Sequence, residues 1–156
     1  MAYPYDGDPK RTRVLEAMKT TLEAIRQGSS YHHDLKQVHI YRGEELVLGG
    51  SMPAVVIVPD SSDQITGYLT CSAARHSWRL ALVLSVRAGT RWREELEWLC
   101  SDVTVALEKN LQLGGEVVYA EIDTSDIFDL NPGDEVAQAQ IVVAVEYRHA
   151  LTNPTA

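Results

Sequence analysis

The stretch from Ser77 to Val86 constrains this chain most, because Trp78, Leu80, Leu82, Leu84 and Val86 alternate strictly with Arg79, Ala81, Val83 and Ser85. A period of two places every second side chain on the same face of a strand, so this run predicts a strand whose one face is buried. The segment after it has helical periodicity instead. Trp92, Leu96, Leu99, Val103 and Leu107 form one stripe of a helix predicted over 92–110, with Gly89-Thr90 as its cap. Glu94, Glu95, Asp102 and Glu108 lie mostly off that stripe. The acidic first turn suits the positive end of the helix dipole. Leu113-Gly114-Gly115 then breaks the chain, and Val117 to Ile122 and Ala139 to Tyr147 alternate again as two further strands.

Upstream, Asp8-Pro9 reads as a helix start, the carboxylate as N-cap and the proline at the first helical position. Val14, Leu15, Met18, Leu22 and Ile25 recur at helical spacing, which predicts a first helix ending near Gln27-Gly28. Lys36 to Arg42 reads as a strand with one wet face, and Leu46-Val47-Leu48, between glycine-containing breaks, as part of a hairpin or extended loop. Ala54 to Val58 is a continuous apolar run that predicts the most buried strand, ending at Pro59-Asp60. From Ser61 to Ala74 the pattern is least regular, with a short strand-like patch at Tyr68-Leu69-Thr70-Cys71. Asp123 to Glu135 reads as an acidic connection with a turn at Asn131-Pro132-Gly133.

The predicted fold is α+β: a mixed, mostly antiparallel sheet with two main helices packed on one face. A chain of 156 residues fits one domain. The expected organisation is a flexible arm over residues 1–9, a single domain over 10–148 and a flexible tail over 149–156. Apolar residues make up 45% of the chain without any run of about 20 that a membrane span needs. The first residues lack the basic and then apolar pattern of a secretory signal, so maturation in a cytoplasm is expected.

Chemistry is harder to find than fold. Cys71 and Cys100 show no CxxC or Cys/His ligand spacing, which points to neither a zinc site nor a disulfide framework. The five histidines include no pair at i, i+4, and His32-His33 sit side by side in a polar break. No G-x-S-x-G elbow occurs; Ser72, near Cys71 and His76, is the nearest approach to a nucleophile beside a base. Asp123, Asp126, Asp129, Asp134 and Glu135 lack the spacing of a twelve-residue calcium loop and read as a solvated acidic face. Gly114-Gly115 follows a helix, so it reads as a stop and not as a phosphate cradle. Of the three tryptophans, Trp78 and Trp92 fall on apolar faces, whereas Trp98 is off the stripe; with Tyr119 it is a candidate oligomer contact. Catalytic residues, metal and cofactors are therefore all expected to be absent.

A formal net charge of −8 argues against gripping nucleic acid through a basic footprint, although it suits a surface along which DNA slides without adhesion. The succession of elements resembles the tail terminator (tail completion) proteins of long-tailed bacteriophages over residues 10–148. The resemblance rests on the opening helix from Arg11 to Gln27, Pro-Ala-Val-Val-Ile-Val at 53–58 and the alternating strand at 77–87. It continues through Leu-x-x-Leu-x-x-Asp-Val-x-x-Ala-Leu from Leu96 to Leu107, Leu-Gly-Gly at 113–115 and Ile-Val-Val-Ala-Val-Glu-Tyr at 141–147.

The resemblance implies a non-enzymatic virion protein that forms a ring, usually a homo-hexamer, at the tail-neck junction after assembly in the host cytoplasm. One face would meet the tail tube protein and the other a head-tail connector or stopper protein, with genomic DNA passing through the lumen. Candidate lumen or interface residues are Glu44, Glu45, Asp60, Asp63, Trp98, Tyr119, Asp123, Asp126, Asp129, Asp134 and Glu135. The loops at 43–51 and 60–76 and both termini are where partner contacts are expected. The alternatives are a phage neck or head-completion protein, a small α+β enzyme using His76 with Cys71 or Ser72, and a ligand-binding module.

Overall fold

The computed structural model describes residues 9–26, 30–43, 50–70 and 73–150. Helix α1 (Lys10–Glu23) leads to β1 (Gln37–Ile40), β2 (Ala54–Thr70) and β3 (Ala73–Arg87), then helix α2 (Trp92–Glu108), a single 3₁₀ turn (Leu113–Gly115), β4 (Tyr119–Ile127) and β5 (Val136–Ala150). The five strands form one sheet in the order β1-β2-β3-β5-β4, parallel between β1 and β2 and antiparallel elsewhere. This is the expected α+β architecture, with two helices on one face of a mixed sheet.

Strand parity builds the core. Leu80, Leu82 and Leu84 of β3 lie beside Val143, Ile141 and Ala139 of β5, and Leu82 also lies opposite Ile57 of β2. All seven are fully buried, and they join Val14, Met18 and Leu22 of α1 and Leu96, Leu99 and Val103 of α2 in one cluster. Burying such side chains stabilises the fold by about 1.5–3 kcal/mol each relative to exposure. The opposite sheet face carries Val58, Ala81, Val83, Val142 and Ala144, which are half-buried. Among the described residues no helix lies on it.

Several expected boundaries are corrected. Helix α1 ends at Glu23, short of Gln27-Gly28, and Pro9 is its N-cap, where it had been expected at the first helical position. Helix α2 has Arg91 as N-cap with no side-chain cap bond, so Gly89-Thr90 stands outside it. Strand β2 does not stop at Pro59-Asp60. It continues to Thr70 and pairs with β3 out to Ala73, so the loop expected over 60–76 is the outer part of a long hairpin. The proline is tolerated because β1 ends opposite Ile57, beyond which β2 is an edge strand. The pairing is irregular there, with register shifts between Pro59 and Asp63, Ile65 and Gly67, and Tyr68 and Thr70.

At the other edge, β4 runs from Tyr119 through Ile127, so Asp123 and Asp126 belong to a strand and the connection begins only at Phe128. An edge strand accepts such charges because its outer side is solvated, and they discourage unwanted pairing. Strand β5 reaches Ala150, so the expected tail loses His149 and Ala150 to the sheet. The arm before Pro9, residues 151–156 and the 46–48 apolar piece lie outside the described residues.

Candidate functional site

The predicted site residues do not converge. Glu44 and Glu45 lie outside the described residues. Trp98, on α2, is 44% exposed and its ring lies 3.7 Å from that of His32; Tyr119, at the start of β4, is 45% exposed. Asp123 pairs with Arg79 across β5 at 3.3 Å, and Asp126 is exposed further along β4. Asp134 accepts the main-chain N–H of Asn131 at 2.9 Å and closes the turn, while Asp129 and Glu135 are exposed on the same connection. The acidic face expected over 123–135 is thus divided between an edge strand and a turn.

Asp63 is different, because the irregular part of β2 turns it inward opposite Trp78 of the apolar strand face. Its Oδ1 lies 2.9 Å from His76 Nδ1, and its Oδ2 accepts the phenol O–H of Tyr147 and lies 3.7 Å from Arg11 Nε. A carboxylate only accepts, so the His76 proton sits on Nδ1. The Arg11 guanidinium stacks 4.3 Å over the Trp78 ring, and Trp78 Nε1 donates to the carbonyl of Asp60 at 2.9 Å. His76 stacks on Tyr147 at 4.8 Å and lies 4.6 Å from the His149 ring. One helix and three strands therefore meet through a single polar cluster at the base of the outer hairpin.

The electrostatics follow from that packing. Burial, and then the Asp63 carboxylate, push the Tyr147 phenol far up from its ordinary 10.0. Burial, and then His76, lower His149 from 6.5, while Asp63 partly opposes them. His76 Nε2 is buried and has no hydrogen-bond partner among the described residues. The Asp63–His76 pair therefore ties β2 to β3 inside the cluster. Cys71 and Ser72, the nucleophiles considered beside His76, lie outside the described residues.

A second carboxylate, Asp102, is 1% exposed in α2, a correction to its expected place off the apolar stripe. It accepts the main-chain N–H groups of His32 and His33 at 2.9 Å each, and lies 3.2 Å from His33 Nδ1. Its role is to pin the segment after α1 onto α2. Both carboxylate clusters escaped sequence reasoning, although His76 shares the parity of Trp78 and Leu80, and Asp102 stands three residues after Leu99 and four before Ala106. A polar residue in phase with an apolar stripe was the available signal.

Among the described residues no group of three or more His, Cys, Asp or Glu side chains is placed to hold a metal ion, and no helix is long and apolar enough to cross a membrane. No family model matches the chain, and no curated protein matches it in sequence.

Proposed function

We propose that this chain is a structural subunit of a phage tail, a terminator that assembles into a ring, ends tube elongation and joins the tail to the head-side connector. The observation that carries the reading is the presence of separate apolar and aromatic surfaces that no described helix or strand covers. One is the sheet face around Val58, Ala81, Val83, Val142 and Ala144, on which no described helix lies; the others are marked by the exposed aromatic side chains of Trp98 on α2 and Tyr119 at the start of β4. A ring built by rotation needs two different patches on each subunit, and aromatic residues are enriched where such patches bury. The pattern resemblance over 10–148 supports the same reading, and it supplies the hexamer, the tube protein and the connector as partners.

The charge is compatible with the proposed lumen. At a formal −8 the surface repels a polyanion, which suits genomic DNA that must pass without sticking. Asp126, Asp129 and Glu135 are candidates for that lining, being exposed and without a neighbouring cation in salt-bridge range among the described residues.

Electron microscopy tests the proposal twice. The purified protein is expected to form rings of defined symmetry, and phage lacking it to yield separate heads and tails of irregular or excessive length. Normal particles from the deletion would overturn the assignment.

A further inference from the structure

We propose that the open edge of β4 takes an extended, basic segment of another protein as an added strand. The inference stands apart from the phage reading: the sheet face and Trp98 remain for contacts between copies, and failure of one leaves the other untouched. It starts from a groove of about 360 Å³ beside the strand. Leu107 of α2 and Leu111 just after it line this groove together with Tyr119 and Ile122 of β4, and the carboxylates of Glu108 and Glu121 stand on its rim. Leu111 and Tyr119 are both exposed there.

The backbone beside the groove is open. Strand β4 ends the sheet, with β5 on its inner side. Phe128 donates its main-chain N–H to Gln138 of β5 at 3.1 Å, so by alternation the N–H groups of Ser125 and Ile127 point away from β5. Ala120 gives its outward N–H to the carbonyl of Leu111 at 2.8 Å, and beyond it no backbone partner stands on the outer side of β4 among the described residues. A strand added there finds free amides and carbonyls for its backbone and an apolar groove for every second side chain.

Charge selects the occupant. Strand β4 carries Glu121, Asp123 and Asp126 and no Lys or Arg. Arg79 takes Asp123, whereas Glu108, Glu121 and Asp126 are exposed without a cation in salt-bridge range among the described residues. A second β4 paired here would set these carboxylates against one another, which destabilises a ladder. The chain's own segments outside the described residues, 1–8, 44–49 and 151–156 among them, contain no Lys or Arg to match the edge. The cations flanking β1, Lys36 and Arg42, already stand at 4.0 Å from Asp34 and 2.9 Å from Glu16. The matching strand therefore belongs to a different protein and alternates Lys or Arg with apolar residues.

Nuclear magnetic resonance on the full chain tests this with a capped synthetic peptide of about eight residues in which Lys alternates with Val. The peptide is expected to slow hydrogen exchange at the Ser125 and Ile127 amides and to shift Leu111 and Ile122, leaving β1 unaltered. A peptide of the same composition with its lysines in one block, and one with Glu in place of Lys, should bind about tenfold more weakly or less. Ser125→Pro removes an outward donor, which an edge strand tolerates, and Glu108→Lys with Glu121→Lys reverses the rim; each should weaken binding by about tenfold. Should the proline variant fail to fold, the charge reversal decides. Absence of binding by the alternating peptide overturns the inference. So does equal binding of either control peptide, unchanged binding in the variants, or shifts at this edge that follow protein concentration without peptide, the mark of a second copy.

Discussion

Asp102 of α2 accepts the main-chain N–H of His33 at 2.9 Å across 69 positions of sequence, and its other oxygen takes that of His32 at the same distance. A buried carboxylate thereby satisfies two consecutive amides of a segment that has no regular structure of its own. Asp102→Ala is expected to destabilise the fold by about 1–3 kcal/mol, the loss of two hydrogen bonds at about 0.5–1.5 kcal/mol each. Asp102→Asn, which keeps one acceptor, should cost less. Urea denaturation of the two variants decides the order.

Leu82 is fully buried between Ile57 and Ile141 in the centre of the sheet. Leu82→Ala should cost about 2–5 kcal/mol through lost transfer and a residual cavity. Val83, one position along and on the helix-free face, should lose only about 1 kcal/mol as Val83→Ala. Equal losses in thermal unfolding would contradict the assigned faces.

Tyr147 should ionise above the ordinary tyrosine value. Its phenol is pushed above the ordinary 10.0, so above that pH the unfolded chain loses a proton that the folded chain keeps. This contribution to stability is complete below about 10 and declines as pH rises beyond it. Spectrophotometric titration near the phenolate band should show one tyrosine ionising only on unfolding, and that late component should vanish in Tyr147→Phe.

Gly115 has a φ of +92°, whereas Gly67 has no such constraint and open space where a Cβ would stand. Gly115→Ala is expected to cost about 1–2 kcal/mol from the left-handed backbone alone. Gly67→Ala should stay within about 0.5 kcal/mol. Paired melting curves check the contrast.

Cys100 is buried in α2, and burial pushes its thiol above the ordinary 9.0. In a Cys71→Ser background the remaining thiol should react slowly with a disulfide reagent at neutral pH and promptly in denaturant. Prompt reaction of the folded protein would contradict that environment.

What the sequence disclosed depended on phase. Trp78 through Val86 and Leu96 through Leu107 announced their strand and helix because one face of each is uniformly apolar. The outer part of β2 hid its strand character because Pro59, Ser61, Ser62 and Asp63 are poor strand formers on an irregular edge, ordered by pairing with β3 and not by local preference. Asp123 and Asp126 misled for the same reason. The polar clusters were illegible in a different way: Arg11, Asp63, His76 and Tyr147 are distant in sequence, and only the fold brings them within bonding range. Only the inward parity of His76 hinted at a partner.

The strand order also dictates when the sheet can be completed. Strands β2 and β3 are separated by only two residues of sequence, so bringing them together has little entropic cost. Strand β3 must wait for β5, whose nearest paired residue, Val136 opposite Arg87, arrives only after α2 and β4 have been laid down. Among the described residues β4 pairs with β5 alone. Loss of β5 would therefore strip two strands of a neighbour at once, and the nucleus that commits this chain to its fold has to bridge its middle and its final described strand.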